Sequence, residues 1–291
     1  MVNCIHEHHA NFLPWYARAQ LRTIPIDTNG LVDLALLEAQ LQHSPKLISI
    51  SWASNVTGNL QPIQDIVALA HRYNCLVCID GAQIVGHRTV DLGKLEPDFF
   101  VCSSHKMFGP TGAGLLYIHE KHLDTLPYTR FGGGMVNAFD GKHCQFKRAP
   151  LGFEPGTPAI EAIFGFAKAI AYIQSIGYER IQQHCQQWSG AFMQQLEKSR
   201  WCLSFPRSAD ALAVFSLRPR QGHCDLSQLA RILSDSYNIG VGEGQSCCGP
   251  LYASFKQTSA LRVSAQIYNP LSEVERFFAC LDELSYMIMS D

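Results

Sequence analysis

A chain of 291 residues can bury one large core or two modest ones. With 47% hydrophobic and 16% charged residues, disorder is excluded as the default, and a net charge of -2 gives no reason to expect nucleic acid or an anionic membrane as partner. The apolar stretches are broken by Arg, Lys or Glu before they reach bilayer length, and the N-terminus lacks the basic-then-apolar pattern of a signal peptide.

The first half alternates strand and helix signals. Residues 21–26 and 46–51 read as strands, and the leucine spacing after the Asn29-Gly30 turn predicts a helix between them. Residues 62–74 open with a proline and repeat apolar residues at helical spacing. Three short apolar strands follow, over 76–80, 98–103 and 113–118. Buried strands separated by helices imply a largely parallel sheet covered on both faces. Helices are expected over 158–177 and 178–198, then a strand at 211–217, a helix at 225–237, a strand at 260–265 and a final amphipathic helix from Leu271. This pattern divides the chain into a large domain, 1–176, and a smaller α+β domain, 177–291.

Eleven cysteines form an odd set without disulfide-like spacing, several of them inside apolar runs, which suits a reducing cytoplasm. The Cys75-x-x-Cys78 spacing falls on a strand and reads as structural.

The chemistry concentrates at two strand ends. Residues 103–114, SSHKMFGPTGAG, place Lys106 between a strand and a glycine-rich turn, and the strand ending at Ile79 delivers Asp80. Ligands in such sheets bind at the carboxyl ends of strands. An amine that can form an imine and a carboxylate that can keep a ring nitrogen protonated are what pyridoxal 5'-phosphate (PLP) chemistry requires. Gln83 can donate to a phenolic ring oxygen, and Ser103 and His105 can hold a phosphate. The histidines His6, His8 and His9 with Glu7 also permit a metal cluster, but no HExxH-like pattern accompanies them, and no metal is expected. His6 and His9 read as surface residues.

Six segments carry a resemblance: EHHANFLPW (7–15), SNVTGN (54–59), DGAQ (80–83), SSHKMFGPTGAG, FEPGTP (153–158) and LRVSAQIYN (261–269). In this order they resemble the class V aminotransferase family of PLP fold type I, and within it the cysteine desulfurase, cysteine sulfinate desulfinase and selenocysteine lyase group. The resemblance implies an α/β fold with a mostly parallel sheet flanked by helices and a smaller C-terminal domain. It assigns Lys106 to covalent attachment of PLP, Asp80 to the pyridine nitrogen, Gln83 to the ring oxygen, Ser103 and His105 to the phosphate, and His8 to stacking on the ring. Asn55 and Arg262 match groups that bind the substrate carboxylate, and Thr157 matches a residue that reaches a phosphate across a dimer interface, implying a homodimer. The stretch 241–251, VGEGQSCCGPL, matches a loop with a catalytic cysteine at Cys247. A glycine-flanked loop is expected to be mobile enough to serve both substrate and a protein sulfur acceptor.

The implied activity is conversion of L-cysteine or cysteine sulfinate to L-alanine, with sulfur supplied to iron–sulfur or thio-cofactor assembly. Two other readings stay open. One is a class V aminotransferase or lyase without a cysteine nucleophile; the other is a non-catalytic PLP-fold protein that dimerises. In the resembled group a phosphate-cradling loop precedes the EHHAN segment, so the chain is expected to be N-terminally shortened: a fragment, a short paralogue or an inactive relative. Gly242 and Ser246 stand where the group usually has Arg and His.

Overall fold

The computed structural model describes residues 1–290, with side chains described through Leu284. The first half is built on β1 (Val2–Cys4), α1 (His9–Arg18), β2 (Arg22–Ile24), α2 (Leu34–Leu41), β3 (Leu47–Ser51), α3 (Ile63–Arg72), β4 (Leu76–Asp80), α4 (Leu92–Leu95), β5 (Phe99–Ser103) and β6 (Gly114–Ile118). The six strands form one sheet in the order β2-β1-β3-β4-β5-β6. Neighbours from β2 through β5 are parallel, and β6 runs antiparallel to β5.

Local sequence explains these elements. β3 and β4 are short apolar runs buried on both faces, as parallel strands between helices must be. α3 buries Ile63, Ile66, Val67 and Ala70, one stripe at helical spacing. α2 starts where Asp33 accepts from the amides of Ala35 and Leu36. Strand order reverses at β1, which has β2 on one side and β3 on the other. The crevice at such a reversal lies outside the carboxyl ends of the strands.

β6 departs from the expected burial. Leu115 and Leu116 are 44% and 59% exposed, because β6 is an edge strand with a neighbour, β5, on one side alone among the described residues. Beyond it, β7 (Val136–Phe139) and β8 (Cys144–Phe146) form a separate antiparallel ribbon. The long helices α5 (Ile160–Ile176) and α6 (Tyr178–Lys198) meet at Gly177, where φ is 88° and a side chain would be disfavoured.

The second half contains β9 (Trp201–Leu203), β10 (Val214–Pro219), β11 (His223–Cys224), α7 (Leu226–Tyr237), β12 (Gly242–Gly244), α8 (Gly249–Ser254), β13 (Ala260–Ser264), α9 (Ser272–Ile288) and β14 (Met289–Ser290). An antiparallel sheet takes the order β12-β13-β10-β9, while β11 pairs with β14. Phe192 of α6 stacks on Phe215 of β10 at 4.2 Å between ring centroids and meets Phe278 of α9 at 4.9 Å. One apolar cluster includes Ile50 and Ile79 of the first sheet together with Phe215 and Leu261 of the second.

The strand expected from Ala211 begins only at Val214. The carbonyls of Ala211 and Leu212 are taken by Arg207, and the Leu212 amide donates to Gly58. Arg207 also donates to Thr57 O at 2.8 Å and Val214 O at 2.6 Å, with its guanidinium over the Phe215 ring. Asn59 donates to Pro206 O and accepts from the Ser208 amide. The loop over 54–60 is thereby bolted to the second sheet. No helix among the described residues is long and apolar enough to cross a membrane.

Candidate active site

β5 ends at Ser103 and leads into a single 3-10 turn, Ser104–Lys106. Ser104 is fully buried and anchors the turn: its amide donates to Ala113 O, its carbonyl accepts from Met107 and Gly109, and its hydroxyl donates to Pro110 O. A Cβ at Gly86 would lie 2.5 Å from the Lys106 carbonyl, so only glycine lets that segment pass beneath the lysine. Asp80 closes β4. Its Oδ1 accepts from the Ala82 amide at 2.9 Å, and Oδ2 has no hydrogen-bond partner among the described residues.

These strand ends enclose a cavity of about 380 Å³. His8, Asn55, Asp80, Gln83, Ser103, His105 and Lys106 all line it. Seven of the residues expected from the sequence therefore share one space. Val101 and Cys102 add apolar wall, and Asn11 and Ser51 contribute to the floor.

The electrostatics of the cavity act on its amine and its imidazole in the same direction. Burial pulls the Lys106 ammonium below the usual lysine value; Asp80 opposes this and Arg262 adds to it. His8 is likewise lowered, first by burial and then by the positive charge of Lys106. Beneath the cavity, burial pushes the Glu7 carboxyl up to about 8, against hydrogen bonds from Ser51 and Asn11 that pull it down. The Asn11 amide reaches Glu7 at 2.6 Å and the Ser51 amide at 3.0 Å, while Ser49 donates to Asn11 Oδ1.

Arg262 and Cys247 stand at the rim. Arg262 Nη1 donates to the Asn55 carbonyl at 3.2 Å, and the Asn55 side chain donates to Ser246 O at 2.7 Å. Cys247 is exposed, whereas Cys248 is fully buried against Val56, Leu251 and Tyr252, and burial pushes its thiol up to about 12. Of these two adjacent cysteines, Cys247 is the one with an accessible sulfur. Thr157 is exposed and lines no part of the cavity within this chain.

Two expectations need correction. His6 is not a surface residue; it is 1% exposed, packed beside Glu7 beneath the sheet end. His9 is half-buried and engaged with the cysteine loop, its amide donating to Cys247 O. The cysteine loop itself is short. Only residues 245–248 separate β12 from α8, and the Cys248 thiol donates to Ile5 O. Sequence reasoning also missed Glu7, Asn11 and Ser51 as a buried polar floor. Glu7 and Asn11 at i, i+4 spacing within the EHHAN run were the available signal.

The Aminotransferase class-V model matches residues 2–277. The chain belongs to this family. It is 32% identical to a cysteine desulfurase of Enterobacter sp. (strain 638), across 97% of this chain and 70% of that protein. A cysteine desulfurase of Escherichia coli O8 (strain IAI1) is 33% identical with the same coverage. Among solved structures, the apo cysteine desulfurase of Thermococcus onnurineus NA1 superposes with a TM-score of 0.92 at 30% identity, over 98% of this chain and 72% of that one. The cysteine desulfurase CsdA (S-sulfonic acid) of Escherichia coli gives 0.93 at 26% identity, over 99% and 72%. The class V fold, a mostly parallel sheet with flanking helices, is thus the fold of this chain.

Proposed function

We propose that this chain is a PLP-dependent cysteine desulfurase, converting L-cysteine or cysteine sulfinate to L-alanine. One observation carries the reading: Asp80 and Lys106 line a single cavity whose rim holds Arg262 and an exposed Cys247. The residues fit PLP. Asp80 offers an unpartnered carboxylate oxygen to a protonated ring nitrogen, Lys106 a desolvated amine to an aldehyde, and Ser103 and His105 donors to a phosphate. His8 supplies a flat face for the ring, and Gln83 a donor for its phenolic oxygen.

Bound PLP supplies an electron sink that weakens the bond from the substrate's β-carbon to sulfur. Lys106 Nζ holds the cofactor and then moves a proton at the substrate's α-carbon, a task helped by the burial that lowers its pKa. Arg262 and Asn55 orient the substrate carboxylate, the guanidinium by a two-pronged hydrogen bond. The Cys247 thiolate attacks the substrate sulfur. An S–S bond forms, the β-carbon–sulfur bond breaks, and its electron pair stays with the carbon fragment, which leaves as alanine after protonation. The persulfide then passes to a sulfur-acceptor protein serving iron–sulfur or thio-cofactor assembly. With cysteine sulfinate the β-carbon–sulfur bond breaks without Cys247: its electron pair stays with carbon, sulfur dioxide leaves, and water converts it to sulfite. Thr157 of a second copy would reach the phosphate in a homodimer.

The purified chain is titrated with PLP, reduced with borohydride and digested. The adduct is expected on Lys106, and incubation with cysteine is expected to yield alanine and protein-bound persulfide. Absence of both adduct and alanine overturns the reading.

A further inference from the structure

Ser246 and Cys247 have φ of 49° and 56°. Neither is glycine, and side chains in the left-handed region persist in succession only where surrounding structure holds them. The loop is only residues 245–248, so its restraints can be read individually. Asn55 holds Ser246 O, and the Cys248 amide turns back to Gln245 O at 3.0 Å. His9 holds the loop at Cys247 itself and just beyond it. Its backbone amide donates to Cys247 O at 2.7 Å, and its Nε2 accepts from the Gly249 amide at 3.2 Å.

We propose that His9 is a positioning residue for Cys247, fixing where the exposed thiol stands relative to the cavity. This rests on the assignment of Cys247 as the sulfur-handling thiol. An imidazole that accepts at Nε2 has a proton to offer at Nδ1. The Gly249 amide is at the start of α8, where a helix leaves its first amides without an intrahelical acceptor. His9 satisfies it from outside the helix. The neighbouring residue, His8, lines the cavity, so consecutive residues join the cavity wall to the thiol loop. Any shift of α1 is transmitted to Cys247 through the His9 backbone, and loss of the imidazole frees one side of the strained pair.

The test uses the full chain loaded with PLP and reads the loop independently of turnover. Hydrogen exchange is followed at the Gly249 amide, and iodoacetamide alkylation is followed by peptide mapping at Cys247, with exposed Cys144 of β8 as internal reference. His9→Ala is expected to speed Gly249 exchange at least tenfold and to change Cys247 alkylation several-fold, with Cys144 unchanged. His9→Gln, whose side-chain oxygen can accept from Gly249, is expected to recover most of both. Wild-type rates in His9→Ala, or no recovery in His9→Gln, overturn the proposal. Should His9→Ala fail to fold, the wild-type protein decides: a Gly249 amide exchanging as fast as an unstructured chain overturns it, and one at least tenfold slower supports it. A chain that makes no alanine yet shows the expected exchange pattern discards the desulfurase reading and keeps the loop assignment.

Discussion

Asn55 donates its side-chain amide to Ser246 O at 2.7 Å, joining a loop of the first sheet to the cysteine loop 191 positions later. Its carbonyl meanwhile accepts from Arg262. One residue therefore holds both the Arg262 guanidinium and the loop that carries Cys247, the groups proposed to take the substrate's carboxylate and its sulfur.

Arg262→Lys is expected to raise KM for cysteine on the order of 10- to 100-fold, the value of a charge-assisted hydrogen bond lost with the planar fork. Steady-state kinetics with cysteine checks this, and the variant should melt near the wild-type temperature. Only the carboxylate contact and one bond to Asn55 are altered.

The two adjacent thiols should behave oppositely. Cys247→Ala abolishes alanine formation from cysteine and removes the persulfide, but retains more turnover of cysteine sulfinate. Cys248→Ala keeps the persulfide and loses roughly 1–2 kcal/mol of stability, because its sulfur is packed in an apolar cluster. Mass spectrometry of the intact protein after cysteine addition, with thermal melts, separates the cases.

Asp98 is fully buried and meets Lys121 at 2.8 Å, His71 at 3.0 Å and His122 at 2.6 Å. Burial raises its carboxyl, but hydrogen bonds from His122, Lys121, the Val77 amide and His71 outweigh it and hold the group well below the usual range. A depressed carboxylate stabilises above its unfolded pKa of about 3.9 and loses that contribution as pH falls further. Asp98→Asn should cost roughly 3–5 kcal/mol at pH 7. Denaturation at stepped pH should show the gap from wild type closing below about pH 4.

His87 acts in a different window. Burial pulls its imidazole down to about 4, helped by Arg88. Between about pH 6.5 and that value the unfolded chain binds a proton that the folded chain refuses, so stability falls on acidification, by as much as roughly 3 kcal/mol. His87→Gln should flatten this limb while leaving the Asp98 limb below it. Urea denaturation from pH 7 to pH 4.5 checks the slope.

The strands and helices with strong periodicity were legible. Residues 178–198 were expected as one helix and form α6 with those bounds. What escaped notice was set by tertiary context. α1 contains Pro14, which reads as a breaker, and its N-cap is the unusual His8, accepting from the Ala10 amide at Nδ1. β12 is Gly-Glu-Gly, a poor strand sequence held extended by pairing with β13. At the site, Lys106, Asp80 and Gln83 were readable because strand ends deliver them to one crevice. The grip of His9 was not, since nothing in local spacing brings residue 9 beside residue 249.

The two sheets share one apolar interior, and the groups proposed for catalysis are divided between them: Lys106 and Asp80 at strand ends of one, Arg262 on the other. Neither half can loosen by itself without the pocket coming apart. Thermal melting and loss of cofactor absorbance should coincide, and a ligand spanning the seam should act as a rivet, raising the melting temperature of the whole chain rather than of one half.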